Sequence, residues 1–138
     1  MRPLIAVAGF AALALQPTPV KITVRLIDVR ADKGGVLRVG LHSDPGKGFP
    51  GPSAFVNQQV TPTGKEAVLT FETSPGIYAV AVHHDANANG RMDTNFLHMP
   101  KEGYGVSNDA RPKLRPPRFS EAQVRVTRDT TLVVRMSY

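Results

Sequence analysis

Apolar and polar residues alternate along much of the chain after residue 19, and this two-residue period is typical of half-buried β-strands. The alternation is clearest in residues 20–26, 37–41 and 67–71, where every second side chain is apolar. It shifts by one position at residues 27–29, which predicts a bulge or a change of inward face. Because the turn sequence Asp32-Lys33-Gly34-Gly35 follows, we expect the first two strands to form a hairpin.

Residues 77–83 differ from these strands because they are apolar on both faces, which predicts a central strand covered on each side. Residues 104–108 are expected to add a short strand, and residues 124–138 a C-terminal hairpin. The chain would then hold about seven strands separated by turns, a spacing typical of a sandwich. We therefore predict one all-β domain, an antiparallel β-sandwich over residues 15–138.

The first 14 residues have the pattern of a secretory signal peptide. Arg2 gives a positive start, residues 4–15 are apolar or small, and Ala12-Leu13-Ala14 offers a cleavage site. The apolar run is short for a membrane span, so a retained anchor is disfavoured, as is the alternative of a buried N-terminal helix. We expect export to the periplasm or the exterior, with no integral membrane segment left after cleavage.

Composition narrows the possible partners. The chain has no Cys, so no disulfide supports an exported fold and the apolar core must suffice. The formal net charge is +6, with a local basic cluster at residues 111–118. No stacking motif is interleaved with these charges, which argues against nucleic acid. A solvated face is the ordinary interpretation, and contact with anionic envelope polymers or lipid headgroups is the alternative.

The segment that follows the central strand resembles the front part of a looped calcium site. Asp, Asn, Asn and Asp occupy relative positions 1, 3, 5 and 9, with Gly90 at position 6. The predicted metal ligands are Asp85, Asn87, Asn89 and Asp93. Position 12, where a bidentate acid is needed, is Phe96, so a calcium ion would bind weakly, with a Kd around 10⁻⁴–10⁻³ M. In the alternative, the Asp and Asn side chains hold the loop by Asx turns without metal.

Two further residues are expected to brace this loop, namely His84 and Glu102. A rival interpretation is a transition-metal-dependent enzyme that uses His84, Asp85 and His98. His83 and His84 cannot chelate one ion together, because neighbours on a strand face opposite ways. No segment combines a nucleophile, a base and an orienting partner, so we favour a non-catalytic role.

Three aromatic residues stand near the loop, and they have two interpretations. Phe96, Tyr104 and Phe119 could form an exposed platform for a sugar or peptide. We expect instead that they plug the open end of the sandwich beneath the loop.

Several runs around the loop resemble the bacterial family DUF2141. They are Pro75–Asp85 with Asn87 and Asn89-Gly90, then Asp93–Leu97, Met99–Asn108 and Pro116–Phe119. The resemblance covers residues 20–138 and implies a small all-β sandwich of the prealbumin or immunoglobulin-like kind, with no established activity. One departure is His98, which stands where the family pattern usually has Gly.

These observations predict a non-catalytic binding or interaction module with at most one weak calcium ion in the 85–93 loop. Its ligand would be an envelope or extracellular polysaccharide or protein. The alternatives are the metal-dependent enzyme and a purely structural domain.

Overall fold

The computed structural model describes residues 3–9, 11 and 15–138, and the strands lie between residues 20 and 135. The strands are β1 (Val20–Ile27), β2 (Val36–Ser43), β3 (Val56–Val60), β4 (Ala67–Thr73), β5 (Gly76–Asp85), β6 (Gly103–Val106), β7 (Val124–Val126) and β8 (Thr130–Arg135). The helical elements are α1 (Phe119–Ala122) and the 3₁₀ turns Ala31–Lys33 and Ser107–Asp109.

The predicted signal peptide, residues 1–14, lies partly outside the described residues. Those of its residues that are described, 3–9 and 11, form neither helix nor strand. Within the described part of the chain, no helix is long and apolar enough to cross a membrane.

The strands form two sheets, which confirms the predicted all-β sandwich. One sheet has the order β4-β1-β8, and the other has the order β3-β2-β5-β6 with β7 also paired to β5. Every pairing is antiparallel except that between β1 and β8, which is parallel. The central place of β5, between β2 and two other strands, agrees with its apolar sequence.

Both predicted hairpins are wrong. The strands β1 and β2 lie in different sheets, as do β7 and β8. Asp28 takes a left-handed φ of 57° where the alternation shifts, and the 3₁₀ turn after it carries the chain to the other sheet. Alternation therefore predicted which side chains face inward, but it did not specify which strands pair.

The inward side chains of both sheets form the main core. Its fully buried members include Ile22, Val24, Leu26, Leu37, Val39, Leu41, Val80, Val126 and Val134. Burying one such side chain contributes about 1.5–3 kcal/mol, so a core of this size can support a domain without cysteines.

A second apolar cluster covers the outer face of β5. Ala79 and Ala81 pack there with Ala122, and Phe49 and Phe119 lie against them. This cluster ends at Ala81, and the next outward positions on β5 are polar. The outer face therefore changes from apolar to polar just before the strand runs into the long loop.

Candidate functional site

The last outward residue of β5, Asp85, anchors the loop from below. Its side chain is completely buried. Oδ2 accepts hydrogen bonds from Arg38 Nε at 2.9 Å and from the backbone N–H of Gly90 at 2.8 Å. Oδ1 accepts from the N–H of Asn89 at 3.1 Å. Both oxygens of Asp85 are thus engaged with groups of the protein itself.

The charge of Asp85 is stabilised against its burial. Burial raises the pKa of this carboxyl, but the Arg38 guanidinium and the N–H groups of Gly90 and Asn89 outweigh it, so the pKa is lowered. The carboxylate forms an ion pair with Arg38, which is about one third exposed. A cation placed on Asp85 would therefore compete with a guanidinium that is already bound.

Glu102 joins the two ends of the loop. Oε2 accepts from the N–H of Ala86 at 2.8 Å, and Oε1 accepts from the N–H of Asp93 at 3.0 Å. His83 Nε2 lies 3.0 Å from the same Oε1 and donates to it, because an ionised carboxylate can only accept. One side chain thus fixes the start of the 85–93 loop, its end and the strand beneath it.

The amide side chains of Asn87 and Asn89 converge on Asp93. Asn87 Nδ2 lies 2.6 Å from Asp93 Oδ2, and Asn89 Nδ2 lies 3.0 Å from Asp93 Oδ1. The bonds from Asn89 and Asn87 lower the pKa of Asp93. The carbonyl oxygens of the two side-chain amides bond to the loop backbone instead. Asn87 Oδ1 accepts from the backbone N–H of Asn89, and Asn89 Oδ1 accepts from the backbone N–H of Arg91. These are Asx turns.

This arrangement fits a calcium ion only in part. Asn87, Asn89 and Asp93 are close enough to share an ion, but calcium requires oxygen ligands, and the amides present nitrogen to Asp93. Binding would require both amides to turn over and their Asx turns to break. Asp85 would add little, since Arg38 already neutralises it.

The rival transition-metal set is not brought together. Within the described residues, the one group of His, Asp and Glu with ligand atoms all within 4.8 Å of one another is His83, Asp85 and Glu102. It contains neither His84 nor His98. Sequence reasoning missed His83, although strand alternation places residues 83 and 85 on the same face.

His84 faces the interior and braces a different part of the molecule from the expected one. Its Nε2 donates to the carbonyl of Gly34 at 2.7 Å, and its Nδ1 lies 2.6 Å from the Tyr138 hydroxyl. That hydroxyl in turn accepts from the N–H of Arg30 at 3.0 Å. A neutral imidazole with its proton on Nε2 satisfies all three bonds. His84 therefore ties the turn before β2 to the C-terminal residue, and not the 85–93 loop.

Residues 93–101 form a short hairpin, which we call the hairpin arm. The N–H of Lys101 donates to the carbonyl of Asp93 at 2.8 Å, and Thr94 and Pro100 form an antiparallel bridge. The N–H of Asn95 donates to the carbonyl of Met99 at 2.9 Å.

Three residues, Phe96, Leu97 and His98, make the tip of the hairpin arm. His98 adopts a left-handed φ of 60°, the conformation for which Gly is favoured at the end of a three-residue hairpin loop. The Asn95 side chain holds this turn, since its Oδ1 accepts from the N–H groups of Leu97 and Met99.

The hairpin arm exposes large apolar side chains at and beside its tip. The exposed fractions are 90% for Phe96, 65% for Leu97 and 43% for Met99. The expectation that Phe96 plugs the sandwich is therefore wrong. Phe119 does pack against the outer cluster, and Tyr104 is half-buried on β6.

An open cleft of about 460 Å³ lies at the base of the hairpin arm. Its walls are Ala86, Asn87, Asp93, Thr94, Lys101 and Glu102. Most of its polar atoms belong to the bonds that hold the loop, so the cleft offers few unbonded groups to a ligand.

The basic cluster at residues 111–118 is partly engaged in structure. Arg115 pairs with Glu121 at 2.6 Å, and Arg111 pairs with Asp109 at 2.8 Å. The Arg115 guanidinium and the N–H of Arg118 lower the pKa of Glu121 to about 2. The cluster has four basic residues, Arg111, Lys113, Arg115 and Arg118. Two of them, Arg111 and Arg115, thus form ion pairs that hold the segment leading into α1.

These features define a small β-sandwich domain with a self-bonded polar loop and a projecting apolar hairpin. The chain belongs to the family DUF2141, described as an uncharacterized protein conserved in bacteria, whose profile matches residues 24–133. The resemblance seen in the sequence is thereby confirmed. No curated protein and no solved structure matches the chain.

Proposed function

We propose that this protein is an exported, non-catalytic binding domain and that the hairpin arm is its binding element. The observation that carries the proposal is the exposure of Phe96 and Leu97 at the end of an arm whose base is fixed by Glu102. Adjacent apolar side chains exposed on an ordered element mark sites that another surface covers. Export follows from the signal-like pattern of residues 1–14 and is part of the proposal.

A catalytic role has less support than binding. The titratable groups at the loop base already have partners, with Asp85 bound to Arg38 and Glu102 bound to His83 and two backbone N–H groups. A general acid or base needs a free position that faces substrate, and these side chains face their own loop.

Calcium is not needed to hold the loop and is expected to bind only weakly. The loop is held by hydrogen bonds among its own residues, and Asp93 is the carboxylate left to attract an ion. One carboxylate and two amides are a weak ligand set, so we expect calcium to bind with a Kd of about 10⁻³ M or weaker.

Co-sedimentation tests the binding proposal. Residues 15–138, which contain every strand, would be mixed with a total bacterial envelope preparation and centrifuged. We expect the unmodified domain to sediment and Phe96→Asp to remain in solution, because the charge prevents burial of the tip. Val68→Asp is the matched control, since Val68 is 58% exposed on β4, in the other sheet.

The control should sediment like the unmodified domain. Thermal melts would establish that both variants are folded. Equal sedimentation of Phe96→Asp and the unmodified domain would contradict the proposal.

A further inference from the structure

We propose that the surface covered by the hairpin arm is an anionic lipid membrane, which the tip enters while nearby cations contact the headgroups. This inference rests on the proposed function, because it names the partner of the same element.

The size and shape of the apolar tip favour a membrane over a protein. A stable protein–protein interface buries roughly 800 Å² on each partner and involves about 20–30 residues of each. The hairpin arm presents three large apolar side chains, those of Phe96, Leu97 and Met99, and residues 94–100 are all exposed. A projecting tip of this size is small for a protein interface. Binding at a bilayer interface needs no matching partner surface, and its strength grows with the apolar area inserted and with attraction of cations to anionic lipids.

The charges near the arm complement an anionic surface. Arg91 and Lys101 are exposed at the base of the arm, and neither forms an ion pair within the described part of the chain. Lys33, in the turn whose Gly35 lies against the backbone of Asp85, also has no ion pair there, and its ammonium lies 5.8 Å from the centroid of the Tyr138 ring. The neighbouring acid Asp93 keeps its negative charge and accepts hydrogen bonds from the neutral amides of Asn87 and Asn89. Cations below an apolar tip are the arrangement by which interfacial proteins bind anionic lipids.

Three N–H groups at the tip are already hydrogen-bonded within the hairpin arm. An N–H group that enters the acyl region must have an internal partner, because no water is available there. Asn95 supplies these partners: its Oδ1 accepts from the N–H groups of Leu97 and Met99, and its carbonyl accepts from that of His98. The tip can therefore insert its side chains without stranding these three donors.

A fluorescent reporter gives the most direct test. The chain has no Trp, so Phe96→Trp introduces a single tryptophan, which can be excited selectively over the three tyrosines, at a position that is 90% exposed and lies outside both apolar clusters. The probes are vesicles of phosphatidylcholine alone and of phosphatidylcholine mixed equally with phosphatidylglycerol. Residues 15–138 are used because the apolar residues near the N-terminus could bind lipid themselves.

With the mixed vesicles we expect a blue shift of Phe96→Trp emission and quenching by brominated acyl chains, and neither for the control Val68→Trp. Flotation with the same vesicles should weaken roughly tenfold or more in Phe96→Asp, the loss expected when one large apolar side chain no longer inserts. Arg91→Glu combined with Lys101→Glu should reduce binding to the mixed vesicles, and the exposed control Lys47→Glu should not.

Unshifted Phe96→Trp emission with both vesicles, or flotation that does not depend on residue 96, would overturn the lipid proposal. If sedimentation with whole envelopes still depends on Phe96 in that case, the binding function stands and its partner is a protein or a polymer. If neither vesicles nor envelopes distinguish Phe96→Asp from the unmodified domain, both proposals fail.

Discussion

The base of the long loop between β5 and β6 buries charged side chains, whereas the tip of its hairpin arm exposes apolar ones, the reverse of the usual relation between polarity and exposure. At the base, Asp85 is fully buried and Glu102 nearly so. Both accept hydrogen bonds from backbone N–H groups, and their side-chain partners are Arg38 and the His83 imidazole. At the tip, Phe96 and Leu97 are 90% and 65% exposed, more than Met99, the other large apolar side chain of the arm. The residues that resemble a metal site thus build the loop, while the residues without a motif face outward. A sequence motif that resembles a set of metal ligands can therefore hold a loop together by hydrogen bonds among its own residues.

The largest expected effect comes from breaking the base. Asp85→Asn removes the partner of Arg38 and leaves one oxygen where two accepted hydrogen bonds. Loss of one partner of a buried pair costs about 3–5 kcal/mol, and the partial exposure of Arg38 places the expected loss near the lower value. Urea unfolding would measure it.

At the tip, by contrast, Phe96→Asp should change the free energy of unfolding by less than about 0.5 kcal/mol, as is usual for exposed positions. Similar losses in the two variants would remove the distinction between base and tip.

The pH dependence of stability should also come from the base. The folded pKa of Asp85 is lowered, so its contribution is present above its unfolded pKa, about 3.9, and is lost as the pH falls through the folded value. The stability difference between the unmodified domain and Asp85→Asn should be constant above about pH 5 and shrink below pH 4. Urea melts across this range would test the sign, and a difference that grows on acidification would contradict it.

A smaller effect is expected from calcium. At a concentration equal to its Kd, a ligand stabilises by about 0.4 kcal/mol, which raises the Tm of a domain of this size by roughly 2 °C. We expect no more than this at millimolar calcium, and loss of the shift in Asp93→Asn. An increase of many degrees in Tm at micromolar calcium would show instead that the base binds calcium tightly.

The smallest effect should come from the turn of the tip. His98 takes a left-handed φ of 60°, which costs roughly 1 kcal/mol for a residue other than Gly. His98→Gly should slow amide exchange at Leu97 and Met99 and leave the Tm almost unchanged, since the arm lies outside both cores. Faster exchange in the variant would mean that the His98 side chain itself supports the turn.

The sequence carried most of the strand information but little of the topology. The inward positions of β1 and β2 could be predicted, because burial on one face imposes a two-residue period. The pairing partner of each strand could not be predicted, since the alternation in β1 is equally compatible with β2, β4 or β8 as its neighbour. The choice depends on how Asp28 and the turn after it direct the chain.

The site was predictable to a similar degree. Asp85 and Glu102 stand out as polar residues beside a buried strand, but their partners, Arg38 and His83, come from register between strands. The exposure of Phe96 was missed because an aromatic residue beside a sandwich usually packs, and the bridge between Thr94 and Pro100 that projects it has no sequence signal.

The parallel pairing of β1 with β8 has a consequence for how the chain folds. Ile22 lies opposite Thr130, so the first strand of the sandwich acquires one of its two neighbours only when the last strand arrives. Contacts between such distant residues slow folding, because a long loop must close before they form. Until β8 is in place, β1 is an open strand edge that can pair with another chain. The newly made protein should therefore be most prone to aggregation until β8 has been made and has paired with β1.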